Sequence, residues 1–166
     1  KYTDLKRAFD AINAGTHTSG LEIKIVGSTI ETASAVLNAS GSGAASYTSI
    51  CIYPTTTGLS IANSGNLTEL IDLNGADNVT IDGRVNATGS TKDLIITNTY
   101  TSATSTIRFI NDASNNIVKY CNIKGSSTYN NGILFFTTTT GSAGNDGNLI
   151  DNNNITCSTN ANRPKN

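Results

Sequence analysis

Two short stretches of this chain say nearly the same thing. Asn115–Ser126 reads "NNIVKYCNIKGS" and, 32 residues later, Gly147–Ser158 reads "GNLIDNNNITCS". In each, an Asn (Asn116, Asn148) precedes two aliphatics, and a second Asn (Asn122, Asn154) stands just before an Ile (Ile123, Ile155). A chain that restates one phrase with different residues between is rebuilding one cross-section. That demand constrains the fold more than any other feature of the sequence.

The intervening segments share a style. After Gly20 the pattern has period two: "LEIKIVG" sets Leu21, Ile23 and Ile25 on one face and Glu22 and Lys24 on the other, and "SICIYP" continues in kind until Pro54 closes the run. Further strand-like runs are Leu70–Leu73, Val79–Ile81, Leu94–Thr97, Ile107–Ile110, Ile117–Tyr120, Ile133–Phe136 and Leu149–Asp151. Each is short and bounded by Asn, Gly, Asp or Ser, the residues that tolerate tight turns. Ile71, Ile107 and Ile133 each open an apolar run, Val79, Ile117 and Leu149 each follow an Asn, and Val85, Ile123 and Ile155 come six residues after those. The spacing varies over roughly 26 to 38 residues, so turns of variable length ride on a constant section, as in a parallel β-helix. A hairpin sandwich would set its Asn-Gly pairs between matched runs. Asn74–Gly75 and Asn131–Gly132 do not sit there.

The expected physics is simple. Coils stack about 4.8 Å apart, inward aliphatics form columns worth about 1.5–3 kcal/mol per buried side chain, and Asn marks the corners because it accepts left-handed dihedrals. Asn122 with Asn154, and Asn116 with Asn148, are expected as corner ladders. Registering "DNVTIDGRVN" as a third rung pairs Asn78 with Asn116, a match that a one-residue slip would turn inside out.

Only the first segment reads as a helix. In "TDLKRAFDAINAG", Leu5, Ala8, Phe9 and Ile12 have helical spacing, Thr3 is the expected N-cap and Gly15 the stop, giving Asp4–Ala14. The expected organisation is all-β in a single domain, 1–166: a helical cap and loop over 1–20 and a right-handed parallel β-helix over 21–166.

An amphipathic helix followed by "LEIKIVGSTIETASAVLNAS" and Asn-punctuated rungs such as "LIDLNGADNVTIDG" resembles the pectate-lyase-like superfamily of right-handed parallel β-helices. In that superfamily a short N-terminal helix often plugs the first coil. The Thr-, Asn- and Ser-rich style is similar to long secreted surface proteins of Bacteroidota, which implies export by the type IX route. The chain closes on "STNANRPKN" directly after a rung. It is therefore expected to be the N-terminal part of a longer solenoid whose leader has been removed, and an uncapped coil is expected to self-associate end to end.

Chemistry is harder to find. Glycoside hydrolysis needs two carboxylates at a set separation, and lyases of this fold need Ca²⁺ held by several carboxylate oxygens. Asp72, Asp82, Asp93, Asp112, Asp146 and Asp151 do not fall at equivalent rung positions; Asp82 matches Tyr120 and Asn152 in the preferred register, and Asp151 matches Lys119. Asp72 is expected beside Arg108 as a surface ion pair worth under about 1 kcal/mol. His17, in "AGTHTSG", has no triad partners in view and reads as a loop residue. The "NDGN" and "GADN" loops lack the acidic spacing of calcium repeats. Thr137–Thr140 and the Thr97–Thr106 segment lack the fixed period of an ice-binding face. Tyr100 and Tyr129 lie in loop-like segments and are able to stack on sugars. The sequons at Asn38, Asn66, Asn78, Asn86 and Asn154 arise readily in so Asn- and Thr-rich a chain.

Composition excludes several classes. Charged residues are 14% and the net charge is −1, so there is no basic footprint for nucleic acid. No apolar run reaches the roughly 20 residues of a membrane span. Cys51, Cys121 and Cys157 show no CxxC spacing for zinc; three thiols allow one disulfide plus one free Cys, and the plainer reading takes Cys121 and its like as small buried hydrophobes. No residue is assigned to catalysis, cofactor or metal. The expected role is a non-catalytic secreted or cell-surface segment of an adhesin-like protein, with glycans as expected ligands and no nucleic-acid or membrane partner. The alternative is the N-terminal portion of a polysaccharide lyase or glycoside hydrolase.

Overall fold

The computed structural model describes residues 1–137 and 143–158. Among the described residues one α-helix, α1 (Leu5–Asn13), precedes fourteen strands. The first nine are β1 (Thr18–Ile25), β2 (Thr29–Glu31), β3 (Ala35–Asn38), β4 (Ser46–Pro54), β5 (Ser60–Asn63), β6 (Glu69–Asn74), β7 (Val79–Asp82), β8 (Ile95–Asn98) and β9 (Ser105–Ile110). The rest are β10 (Ile117–Lys119), β11 (Asn122–Gly125), β12 (Leu134–Phe136), β13 (Leu149–Asp151) and β14 (Asn154–Cys157).

Every strand pairs in parallel with the strand three places along the chain. The result is three sheets: β1-β4-β7-β10-β13, then β2-β5-β8-β11-β14, then β3-β6-β9-β12. This is a three-sided parallel β-solenoid of four coils and the start of a fifth. We refer to the sheets as the first, second and third.

Stacked apolar side chains fill the interior as the period-two pattern requires, down to the last coil, where Phe136 and Ile155 are exposed. In the first sheet the column is Ile52, Ile81, Val118 and Ile150. In the second it is Ile61, Ile96, Ile123 and Ile155. In the third it is Leu37, Leu73, Phe109 and Phe136, the last two rings stacked with centroids 4.4 Å apart. Ile123 and Ile155 are therefore vertical neighbours, as are Asn122 and Asn154, whose side chains bond directly (Nδ2 to Oδ1, 2.9 Å).

Asparagine does two different jobs at the bends. Asn78 (φ +59°), Asn115 (+57°) and Gly147 (+66°) take the left-handed turn before the first sheet, a conformation that Asn and Gly accept at little cost. One residue on, Asn116 and Asn148 stitch coil to coil. Asn116 Oδ1 accepts from Val79 N (2.9 Å) and its Nδ2 donates to Ala76 O (2.8 Å); Asn148 repeats this on Asn116 N (2.9 Å) and Ala113 O (2.8 Å). Asn116 and Asn148 thus bond to backbone rather than to each other's side chains. Asn38, Asn74 and Asn111 form a third, amide-to-amide ladder (2.9 and 2.6 Å) at another bend.

These two roles explain where the expected register fails. The partner of Ile117 is Thr80, and that of Lys119 is Asp82. Asn78 is therefore the turn residue equivalent to Asn115, not to Asn116, and the third rung is shifted by one. Val85 leaves the column: it starts a short 3-10 turn, Val85–Ala87, and Ile96 takes its place beneath Ile123. In the third sheet Leu134, not Ile133, stands under Ile107.

Helix α1 plugs the first coil with buried Leu5, Ala8, Phe9 and Ile12. Its N-cap is Asp4, whose side chain accepts from Arg7 N (2.8 Å), rather than Thr3. Gly15 (φ +72°) ends it. Glu31, fully buried, reaches in from β2 and accepts from Leu5 N (3.0 Å) and Lys6 N (2.9 Å), the orphan donors of the first turn. At the other end Asn13 accepts from Asn38 N (3.0 Å) and donates to Val36 O (2.9 Å), so it covers the open edge of β3.

Candidate functional site

The loops at the bend from the second to the third sheet carry two tyrosines, Tyr100 and Tyr129. In the third coil residues 99–104 join β8 to β9, and in the fourth residues 126–133 join β11 to β12. The two loops therefore stack. Thr128 N donates to Ser102 O (3.3 Å), Thr128 Oγ1 to Thr101 O (3.3 Å) and Ser127 Oγ to Ser102 O (3.4 Å). Tyr100 stands on the upper loop, half-buried, and Tyr129 on the lower, 57% exposed. Sequence alone places each in a loop; the coil brings the two loops together.

A buried polar layer lies beneath this bend and ties its backbone. Asn98 Nδ2 donates to Leu67 O (3.0 Å) and Ser105 O (2.9 Å), while its Oδ1 accepts from Tyr100 N (3.2 Å). Thr104 Oγ1 donates to Tyr100 O (3.1 Å), and Thr106 Oγ1 to Lys124 O (2.8 Å). Asn98, Thr104, Thr106, Ser126 and Ser127 are all buried. A fixed backbone carrying tyrosines beside hydroxyls has the makings of a sugar-binding surface, since an aromatic face packs on the apolar face of a pyranose and hydroxyl groups meet its polar rim.

The carboxylates are tied elsewhere. Asp72 is paired in register with Arg108 across coils; Nε meets Oδ1 at 3.0 Å and Nη2 meets Oδ2 at 2.7 Å, while Glu69 takes Nη1 at 2.7 Å. The sequence reading of an exposed pair underestimates this contact, because Asp72 is buried and the guanidinium is held by three oxygens. On the first sheet Asp82 is gripped by Arg84 (Nε to Oδ1 2.9 Å, Nη2 to Oδ2 2.6 Å), with Lys119 Nζ at 3.5 Å. Arg84 in turn lies 4.5 Å over the Tyr120 ring. Burial pushes the Asp82 carboxyl up, but the Arg84 hydrogen bonds and the charges of Arg84 and Lys119 outweigh it and hold the group below the usual carboxylate range.

Against the sequence expectation, Asp82 and Asp151 do share a rung position, in one column with Lys119 between them, because the third rung is shifted by one; the other acids are dispersed. Asp93 and Asp151 lie on the first-sheet side, where Asp93 N bonds to Gly83 O (2.9 Å) and Asp151 follows Lys119 in the same column. Asp112 Oδ1 accepts from Gly144 N (2.9 Å), and Asp146 N bonds to Ser114 Oγ (3.1 Å). Asp77 of the "GADN" loop accepts from Ser114 N (2.7 Å). Among the described residues no group of three or more His, Cys, Asp or Glu is arranged to hold a metal ion. His17 is exposed, and its Nε2 is 2.7 Å from Tyr2 Oη. Cys51, Cys121 and Cys157 are free thiols. Of the Thr137–Thr140 run, Thr138–Thr140 lie outside the described residues, as does the closing "TNANRPKN".

An open groove of about 900 Å³ lies between α1 and β1. Leu5, Ala8 and Ile12 form one wall and Leu21, Ile23 and Val26 the other. No described helix is long and apolar enough to cross a membrane.

Comparison with known proteins adds no relative: no family model, curated protein or solved structure matches the chain.

Proposed function

We propose that this chain is a non-catalytic segment of a secreted or cell-surface, adhesin-like protein that holds out a rigid glycan-binding bend. One observation carries the reading. Tyr100 and Tyr129 stand on neighbouring coils, on loops bonded to each other over a buried polar layer. Such preorganisation keeps down the ordering cost that weakens sugar binding by mobile loops. The pairing of Asp72 and Asp82 with arginines supports the non-catalytic half, because a carboxylate engaged at both oxygens is poorly placed to move a proton. Export to the surface of a bacterium of the Bacteroidota kind, by the type IX route, and end-to-end association of coils belong to the same proposal and rest on the Thr/Asn-rich sequence style and the coil architecture.

A glycan array probed with the chain tests the proposal. Binding to a defined set of glycans, lost in Tyr129→Ala and weakened in Tyr100→Ala with unchanged circular dichroism, is the expected result. Absence of binding across the array, or cleavage of pectin or another polyuronate by the chain, overturns it. The second outcome would favour the carbohydrate-active reading, with the Asp82, Lys119 and Asp151 column as the place to look.

A further inference from the structure

The chain contains two Asn-Gly steps, Asn74–Gly75 and Asn131–Gly132. Their surroundings are opposite. Asn74 is locked on both sides: its Nδ2 donates to Asn38 Oδ1 (2.9 Å) and its Oδ1 accepts from Asn111 Nδ2 (2.6 Å). The backbone nitrogen that follows it, Gly75 N, donates to Ile110 O at 2.8 Å. Asn131 sits in a turn of the 126–133 loop, partly exposed; its side-chain amide makes no hydrogen bond among the described residues, and Gly132 N has no bond beyond the turn's own. At Gly132 (φ +74°) the place a side chain would occupy has only Leu134 O nearby, at 3.7 Å, so the turn is uncrowded on that side.

The geometry points to Asn131 as a site of spontaneous, self-contained modification. Gly132 N attacks Asn131 Cγ, the new N–C bond closes a succinimide ring, and the side-chain nitrogen leaves as ammonia, carrying the proton shed by the attacking amide. Water then opens the ring at either carbonyl, giving aspartate or isoaspartate. No electrons are transferred, and water is the only co-reactant. The same reaction at Asn74 must first break two ladder bonds and the Gly75–Ile110 bond. With each of three hydrogen bonds contributing a few-fold, Asn74 is expected to react on the order of a hundredfold more slowly. The product places a carboxylate two residues from Tyr129 and takes the net charge one unit below −1, so the candidate binding bend gains a negative charge with age. The modification itself stands without the glycan reading.

The experiment is peptide mapping by mass spectrometry of the intact folded chain, incubated in warm, mildly alkaline buffer, with aspartate and isoaspartate resolved by chromatography. Conversion at Asn131 at least tenfold ahead of Asn74, abolished in Asn131→Gln, supports the inference. In Asn38→Ala and Asn111→Ala chains, with the fold checked by circular dichroism, conversion at Asn74 is expected to rise. Asn131 unchanged while other asparagines convert, equal rates at the two steps, or a ladder variant with Asn74 still inert would each overturn it. None of these readouts depends on whether the chain binds glycans.

Discussion

Removing the Asn116 side chain tests the inter-coil stitch where it is most isolated. The residue is fully buried. Its Oδ1 accepts from Val79 N at 2.9 Å and its Nδ2 donates to Ala76 O at 2.8 Å. In Asn116→Ala both backbone groups stay buried with no partner, and each such orphan costs about 1–3 kcal/mol. The expected loss is therefore about 2–6 kcal/mol, a large share of the stability of a domain this size. Asn154 makes a superficially similar ladder bond, to Asn122, but it is exposed. Water replaces that bond, and Asn154→Ala should cost no more than about 0.5 kcal/mol. Urea unfolding of both variants, followed by circular dichroism and corrected for any change in slope, gives the comparison. Asn116→Asp adds a check, because it retains an acceptor for Val79 N, loses the donor to Ala76 O and buries a charge. It should be no more stable than the Ala variant. Equal costs for Asn116→Ala and Asn154→Ala would refute the claim that the buried asparagine, rather than aliphatic stacking alone, fixes one coil on the next.

Three further outcomes follow from the same contacts. Glu31→Ala should cost about 2–4 kcal/mol, because the first-turn donors Leu5 N and Lys6 N lose a charged acceptor; hydrogen exchange should show α1 opening before the coils do. The Asp82 carboxyl is held low in the folded chain, so its contribution is present above the ordinary carboxylate pKa and is lost as pH falls through the lower, folded value. Acid titration of stability should therefore be shallower in Asp82→Asn below the usual carboxylate range. Burial pushes the Cys121 thiol up to about 12, so a thiolate-selective alkylating reagent at neutral pH should label Cys121 only after denaturation and the half-buried Cys51 and Cys157 first.

The coil was legible where the sequence states it twice. The match of Asn122–Ile123 to Asn154–Ile155 is the observed register because both rungs spell the same inward Ile beside the same outward Asn. The alternation at Leu21, Ile23 and Ile25 marks β1 for the same reason. The third rung slipped because Asn before an aliphatic has two meanings here: a left-handed turn at Asn78 and Asn115, and a buried stitch at Asn116 and Asn148. A one-letter pattern does not separate them. Strands β2, β3 and β5 escape a periodicity reading because "TIE", "AVLN" and "SIAN" are too short to show period two, and pairing with the coils beside them makes them strands. Glu31 carries no local signal at all, since its partners are helix donors 25 and 26 residues away. Tyr100 and Tyr129 were visible as loop aromatics, but their shared bend depends on coil lengths that the sequence leaves variable.

The central claim is that consecutive turns of one parallel coil set Ile123 directly on Ile155 and Val118 on Ile150. Backbone NOEs from isotope-labelled protein measure this without reference to side-chain packing. The expected result is inter-strand contacts in the parallel pattern linking Asn122–Gly125 to Asn154–Cys157 and Ile117–Lys119 to Leu149–Asp151, with strand separation of about 4.8 Å. Close Hα–Hα contacts between those segments, the mark of antiparallel neighbours, would contradict it.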